Sequence, residues 1–400
     1  MDVIHPLVAG FVVAVAFAGV APTQTPTQNP PKASPASQPK ATPDPNRIWA
    51  KLLADLPRHP KARHTIEAVR AAVASNPKYA GFTPKLTDRT TVGLVPLGEN
   101  PVTKLWEFYD LRSAWDGTRD PRDIPLPEHR PDGTIEIGDD TGIVLVLLPG
   151  GAFSMGAQES SETDPGFDPR AFPAEAPVVR VELTPFLIAR HEITQGQWAR
   201  LARGMNVAKW PSVGKVGAVI GGKRVTAANP VDRVDWTSCN NVLTQNGFVL
   251  PTEAQWEYAC RAGTSTPWWP GDSPEDLAGK ENVRDKTGNA SIRSPGPSFA
   301  FDDGHFYSSP VGCFAANAFG LHDVHGNVRE WCLDEKASNS DLKKAGTGQL
   351  LPRVRSDHHF HRGGSFFCDL PLTRSSYRNY NVPTFTADWL GARPARLIPE

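Results

Sequence analysis

The sequence has little of what usually reveals a protein's chemistry at first sight. It holds 5 cysteines in 400 residues, and none forms a CxxC pair of the kind that binds metals. Lys and Arg total 42 against 43 Asp and Glu, so the net charge of -1 gives no attraction to nucleic acid. An HExxH helix, a GxSxG turn and a phosphate-binding glycine loop are also missing. These absences leave zinc proteases, α/β-hydrolases and nucleotide-binding enzymes unsupported.

Turn-forming residues are abundant instead. Gly 34 and Pro 39 together exceed their usual share, which predicts long loops and short regular elements. The hydrophobic fraction of 39% is nevertheless enough for a sizeable core, and 11 tryptophans are available to anchor loops to it. We therefore expect a globular protein that is low in regular secondary structure.

The N-terminal part is typical of a targeting segment. Residues 7–20 are almost entirely apolar but too short to span a bilayer, and small residues follow, so residues 1–21 are predicted to be a signal peptide. An uncleaved anchor and no targeting role are the alternatives, since Asp2 and His5 stand where a basic residue is usual. Residues 22–45 are rich in Pro, Thr and Gln and predict a disordered tether to a membrane or wall. We expect an exported protein.

The rest of the chain divides into three predicted parts. Residues 46–80 have helical spacing of apolar positions and form a small helical segment, and residues 81–142 are a Pro- and Asp-rich connector. A buried strand over residues 143–148 opens the main domain, residues 143–400. Within it, Thr194 with Gln197 and Thr252 with Gln255 are predicted capping boxes at two helix starts.

Seven sequence blocks then point to a known family. They are IVLVLLPGGAFSMG (143–156), RHEITQGQW (190–198), NPVDRVDW (229–236), LPTEAQWEYACRAG (250–263), NAFGLHDVHGNVREW (317–331), RGGSF (362–366) and RSSYR to GAR (374–393). In this order and spacing, the blocks resemble the formylglycine-generating, or sulfatase-modifying factor, family. The resemblance implies an irregular, C-type-lectin-related α+β fold, and an oxidoreductase if activity is kept.

The resemblance also implies two structural calcium sites, since loops with Asp, Asn and free carbonyls supply the oxygen ligands that calcium prefers. Capping and turn roles without an ion are the alternative for Asp323, Asn327 and Glu330. The expected ligands are Asn282, the Val283 carbonyl, Asp303 and the His305 carbonyl at one site, and Asp323, Glu330 and the Gly326 and Val328 carbonyls at the other.

The candidate catalytic residues depart from the family. Its oxidases hold Cu(I) between two cysteines after the Gly-Gly-Ser turn, because soft thiolates select Cu(I). Cys368 stands where the first belongs and Ser365 is kept, but residues 370–374 contain no second cysteine. Arg329 replaces the aromatic residue expected before Glu330. Copper binding is therefore doubtful, and a buried packing role for Cys368 is the alternative.

Two further groups of residues are candidates for a cleft beside this turn. Asp357, His359 and His361 would share one face of an extended strand, a pattern that can bind a transition metal or occur in any polar edge strand. The family resemblance places the Gly-Gly-Ser turn in the same cleft as Arg374, Tyr377 and Arg378.

Three functions remain open from the sequence. The first is an oxidase that acts on a cysteine of a protein or peptide, and the second is a non-oxidase module that binds or scaffolds a ligand or partner protein. The third is a different metal-dependent oxygenase on the same fold. The missing second cysteine counts against the first, and the kept Ser365 and Cys368 count mildly against a wholly inert module.

Overall fold

The computed structural model describes residues 59–80, 86, 91–209, 211–289, 296–351, 353 and 355–398. The predicted signal peptide, the tether and the first part of the helical segment lie outside these residues. No helix in the described part of the chain is both long and apolar enough to cross a membrane.

The described helices are short. They are α1 (Ile66–Ser75), α2 (Leu111–Ala114), α3 (Gln195–Leu201), α4 (Trp236–Gln245), α5 (Glu253–Arg261) and α6 (Lys286–Asn289). Single 3₁₀ turns lie at Pro77–Tyr79, Pro121–Asp123, Pro173–Glu175, Pro274–Leu277 and Leu370–Thr373.

The strands are equally short, as the Gly and Pro content predicts. In chain order they are β1 (Leu94–Glu99), β2 (Trp106–Asp110), β3 (Val144–Leu148), β4 (Gly151–Met155), β5 (Val179–Leu183), β6 (Phe186–Ala189), β7 (Val219–Ile220), β8 (Lys223–Arg224), β9 (Arg329–Glu335), β10 (Leu342–Lys343), β11 (Leu350–Leu351), β12 (His359–Arg362), β13 (Asn379–Asn381), β14 (Leu390–Gly391) and β15 (Ala395–Arg396).

Two sheets form the framework. An antiparallel sheet has the order β1-β2-β3-β6-β15, and a mixed sheet has the order β13-β12-β9-β14, in which β9 and β14 are parallel. Every residue of β2 and β3 is buried, which explains why β3 is a continuous apolar run in the sequence. The two-stranded pairs β4-β5, β7-β8 and β10-β11 complete the described strands.

The segment predicted as a connector, residues 81–142, contributes to the main sheet. Strand β2 pairs with β3, with Glu107 opposite Val146 and Tyr109 opposite Val144. The segment interpreted as a connector therefore supplies β1 and β2, two strands of the main sheet. The sequence misled us because proline and aspartate dominate that segment, whereas backbone pairing with a later strand leaves no local signal.

Both predicted capping boxes are present. The hydroxyl of Thr194 accepts the Gln197 amide at 3.2 Å, and the Gln197 side chain accepts the Thr194 amide at 3.1 Å. Thr252 and Gln255 repeat the arrangement at the start of α5, with both distances 3.1 Å. Reciprocal satisfaction of backbone donors fixes both helix starts.

Helix α5 carries two buried carboxylates that anchor the framework. Its Glu253 and Glu257 are fully buried and contact guanidinium groups of Arg362 on β12 and of Arg378. Arg362 also donates to the carbonyl oxygens of Ser376 and Tyr377, both at 2.8 Å. A buried carboxylate needs such partners because its desolvation is costly. These ion pairs therefore fix β12, and the turn that follows it, against α5.

Replacing Glu257 by alanine should strongly destabilise the protein. The change leaves Arg362 and Arg261 without this carboxylate, and breaking a buried pair costs about 3–5 kcal/mol. Chemical denaturation should show this loss. The exposed pair Arg130–Glu136 is the control, since Glu136→Ala should leave the free energy of unfolding unchanged within error. Equal losses in both variants would contradict the assigned role of α5.

Candidate functional site

The turn after β12 brings the candidate residues together. A Cβ added at Gly364 would overlap the carbonyl oxygen of His325, so only glycine lets the turn approach the 322–331 loop this closely. Ser365 follows directly and is fully buried. The Gly-Gly-Ser sequence is thus explained by close packing of backbone on backbone.

Two donors converge on the sulfur of Cys368. The hydroxyl of Ser365 donates to the sulfur at 3.0 Å, and its own oxygen accepts the Phe367 amide at 3.2 Å. The Nε of Arg329 donates to the same sulfur at 3.1 Å. We call Ser365, Cys368, Arg329 and Tyr377 the Cys368 site. Its sulfur is held by a hydroxyl and a cation.

Arg329 is the residue that replaces the expected aromatic side chain. It is only 2% exposed, and its Nη2 donates to the Leu372 carbonyl at 3.0 Å. Its guanidinium carbon lies 4.9 Å from the centroid of the Tyr377 ring, a cation–π contact. Burial raises the pKa of the Tyr377 phenol, although Arg329 opposes the shift. The sequence identified the replacement at position 329 but not its contact with the sulfur.

A second soft ligand is not seen in this part of the structure. All five cysteines are free, and the recorded hydrogen-bonding partners of the Cys368 sulfur are Ser365 and Arg329. Residues 370–373 form a 3₁₀ turn, in which the Thr373 hydroxyl donates to the Leu370 carbonyl at 2.9 Å. In the segment where a second cysteine is expected, the Thr373 hydroxyl is therefore already used in a hydrogen bond within the fold.

Arg374 and Arg378, predicted to line the cleft, are both engaged by buried carboxylates. Arg374 is buried against Asp168 and Glu175, with Nη1 at 2.8 Å from each carboxylate. Arg378 is buried against Glu253. Because carboxylates already balance both charges, the two arginines stabilise the fold around the Cys368 site. Tyr377 is the member of this group that reaches the site.

The side chains of Asp357, His359 and His361, predicted to share one face of a strand, have separate contact partners. His359 stacks on Trp236 with ring centroids 3.7 Å apart, whereas His361 is buried edge-on against Trp331. Burial lowers the pKa of His361 to about 3. The Asp357 carboxylate contacts His358 Nδ1 at 2.6 Å and is exposed. The rings serve packing, and the described residues contain no group of three or more His, Cys, Asp or Glu suited to a metal.

The first expected calcium site has one orphaned ligand atom. The Asn282 side-chain oxygen is buried and has no hydrogen-bond partner. The Asp303 carboxylate accepts the Val283 and His305 amides, both at 2.8 Å, so these four residues form one loop cluster. Burial raises the pKa of Asp303 to about 7. A buried acceptor without a donor, next to a carboxylate that burial disfavours, fits a bound cation.

The second expected site lies directly beside the first. The Asn282 carbonyl accepts the Asn327 amide at 2.7 Å, and a Cβ on Gly326 would overlap the backbone of Asn282. One oxygen of Asp323 is buried without a partner. Glu330 is different, because Arg393 Nε and Nη2 contact its carboxylate at 2.8–3.0 Å. Asp323 therefore fits a cation better than Glu330 does.

Two buried acids near Asp323, Glu192 and Glu281, were not predicted from the sequence. Glu192 accepts the Val328 amide at 2.8 Å, and burial together with Asp323 and Glu330 raises its pKa well above the ordinary value. Burial and Asp323 likewise raise the pKa of Glu281, which has one oxygen without a partner. Glu192 lies in the 190–198 block and Glu281 directly precedes Asn282, but only the structure shows that both are buried in a cluster with more carboxyl groups than cations. That excess supports a calcium ion near Asp323.

Fold and site together define a class. Two small sheets within long loops, and a Gly-Gly-Ser turn that places a cysteine beside the 322–331 loop, are the features expected of a formylglycine-generating-type fold. Residues 139–398 match the family described as "Sulfatase-modifying factor enzyme 1-like domain". The chain belongs to this family.

Its relatives differ in activity, as their names state. The chain is 28% identical over 294 residues to the formylglycine-generating enzyme of Thermomonospora curvata, covering 63% of this chain and 92% of that one. It is 24% identical over 257 residues to the inactive C-alpha-formylglycine-generating enzyme 2 of Bos taurus, covering 52% and 77%. The structure of PvdO from Pseudomonas aeruginosa is similar at a TM-score of 0.47 and 27% identity, over 65% of this chain and 97% of that one.

Calcium should raise the melting temperature, and a chelator should lower it. A ligand that binds only the folded state adds about 2.7 kcal/mol to stability at a hundredfold excess over its Kd. The gain should grow as the pH rises through about 7, because protons compete with the ion for Asp303. Differential scanning calorimetry with and without calcium measures it.

The neighbouring aspartate gives a matched control for this experiment. Asp303→Asn should reduce the calcium effect, whereas Asp302→Asn should largely keep it, because the Asp302 side chain is exposed and accepts the Thr287 hydroxyl and the Gly304 amide. A melting temperature indifferent to calcium in the unmodified protein would reject both sites.

Proposed function

We propose that this chain is a non-oxidase member of its family, a binding or scaffolding module for a protein or peptide ligand. The observation that carries the proposal is the contact between the Arg329 guanidinium and the Cys368 sulfur at 3.1 Å. Copper in the family's oxidases needs two soft thiolate donors, and here a cation stands at the one available sulfur.

The positive charge of Arg329 strongly disfavours a copper ion at the Cys368 sulfur. Two positive charges about 4 Å apart repel by about 4 kcal/mol at an effective dielectric constant of about 20. A repulsion of that size corresponds to a loss of about a thousandfold in affinity. Cu(I) bound to Cys368 would meet this repulsion and would also lack its second sulfur. Both effects act in the same direction, against a stable copper site.

Other observations agree with a binding role. The ion pairs of Arg362, Arg374 and Arg378 hold the fold around the site. The bovine relative named as inactive is a precedent for a family member without oxidase activity. We further propose calcium as a structural ion and an extracytoplasmic location, the latter from residues 1–21 of the sequence.

A working oxidase is the second candidate function. One observation favours it, namely that Ser365 and Cys368 are kept and remain in contact at 3.0 Å. A metal-dependent oxygenase has less support, since His359 and His361 make separate packing contacts.

The protein should fail to convert a cysteine in a sulfatase-type peptide to formylglycine. The assay supplies Cu(I), dioxygen and a reductant, and mass spectrometry reports loss of sulfur and gain of oxygen in the peptide. An active formylglycine-generating enzyme run in parallel shows that the conditions support turnover. Copper-dependent conversion that disappears in Cys368→Ser would overturn the proposal and establish the oxidase.

A further inference from the structure

Arg329 differs from the other buried arginines in lacking a carboxylate partner. Every other buried arginine among the described residues forms an ion pair with Asp or Glu; these are Arg190, Arg261, Arg284, Arg362, Arg374, Arg378 and Arg393. No ion pair to Arg329 is found in the same part of the chain. A buried charge that is not balanced is costly, so this position requires an anion.

The Arg329 guanidinium also has one nitrogen donor without an acceptor. Its Nε is used by Cys368 and its Nη2 by the Leu372 carbonyl, but Nη1 is buried and has no hydrogen-bond partner. The ring of Tyr377 attracts the cation through its π face yet supplies no negative charge, and no hydrogen bond from Arg329 to the Tyr377 phenol oxygen is found among the described residues. A water molecule could accept from Nη1 but would not balance the charge.

We propose that Arg329 binds the carboxylate of a ligand. The inference rests on the proposed binding function and names the chemistry that the site recognises. One unbalanced cation with one free nitrogen matches a single carboxylate. A phosphate dianion would bring a second charge, and the charges of the nearby Arg362 and Arg374 are already balanced by Glu257 and Glu175.

Aromatic side chains beside Arg329 indicate the rest of the ligand. The Tyr377 ring contacts the Phe172 ring at 5.6 Å, and Phe172 is 40% exposed. This partly exposed ring beyond Tyr377 favours a ligand whose carboxylate is attached to an apolar or aromatic body.

Fluorine NMR with 4-fluorophenylacetate and its neutral amide tests the proposal. We expect the acid to bind with a Kd on the order of 1 mM, typical of so small a ligand, and the amide to bind at least about tenfold more weakly. Arg329→Gln should remove the preference for the acid, whereas Arg355→Gln at an exposed position should keep it. Inorganic phosphate should not compete. Equal binding of acid and amide, no binding of either, or displacement by phosphate would each overturn the proposal.

A second variant keeps the test decisive if Arg329→Gln does not fold. If an ionised Cys368 were the counter-ion of Arg329, the unmodified protein would not prefer the acid, and Cys368→Ser would acquire that preference. We expect the preference in both proteins. The outcome is separate from the peptide assay, because formation of formylglycine would reject the non-oxidase function whatever the fluorinated acid does.

Discussion

The pairing of buried arginines with buried carboxylates is the constraint on which the rest of this structure depends. With short strands and short helices, regular backbone pairing alone could not position so many long loops. Glu257 on α5 and Arg362 on β12 join elements far apart in the chain, and Arg362 then holds the carbonyls of residues 376 and 377. Such pairs are costly to bury but specific in geometry, so each one fixes a loop against the core.

Against this background, Arg329 is the informative exception. The family resemblance implies an aromatic side chain at position 329, but here Arg329 contacts the sulfur of Cys368, the expected copper ligand. Under the proposed function, the same replacement weakens copper binding and favours an anionic ligand, because a buried guanidinium without a carboxylate partner needs a counter-charge. We propose both the loss of copper binding and the gain of a recognition site as consequences of Arg329, the first together with the missing second cysteine.

Much of the fold could be predicted from the sequence, because its determinants are local. The capping boxes at Thr194 and Thr252, the buried strand β3 and the family blocks all appear in contiguous residues. The contact of Arg329 with Cys368 could not be predicted, since it joins residues 39 positions apart and depends on the approach of Gly364 to the 322–331 loop. The same holds for Glu192 and Glu281, whose importance lies in burial. For His359 and His361 the sequence left metal binding and an ordinary polar strand open, because ring packing and metal binding use the same residue type.

A crystal structure of the protein grown with silver(I), a redox-stable substitute for Cu(I), tests the central claim most directly. The claim is that the Arg329 cation excludes a soft metal ion from the Cys368 sulfur. We predict no silver at Cys368, with Arg329 Nε still about 3.1 Å from the sulfur. An ordered silver ion bound to the Cys368 sulfur, with the Arg329 side chain displaced, would contradict it.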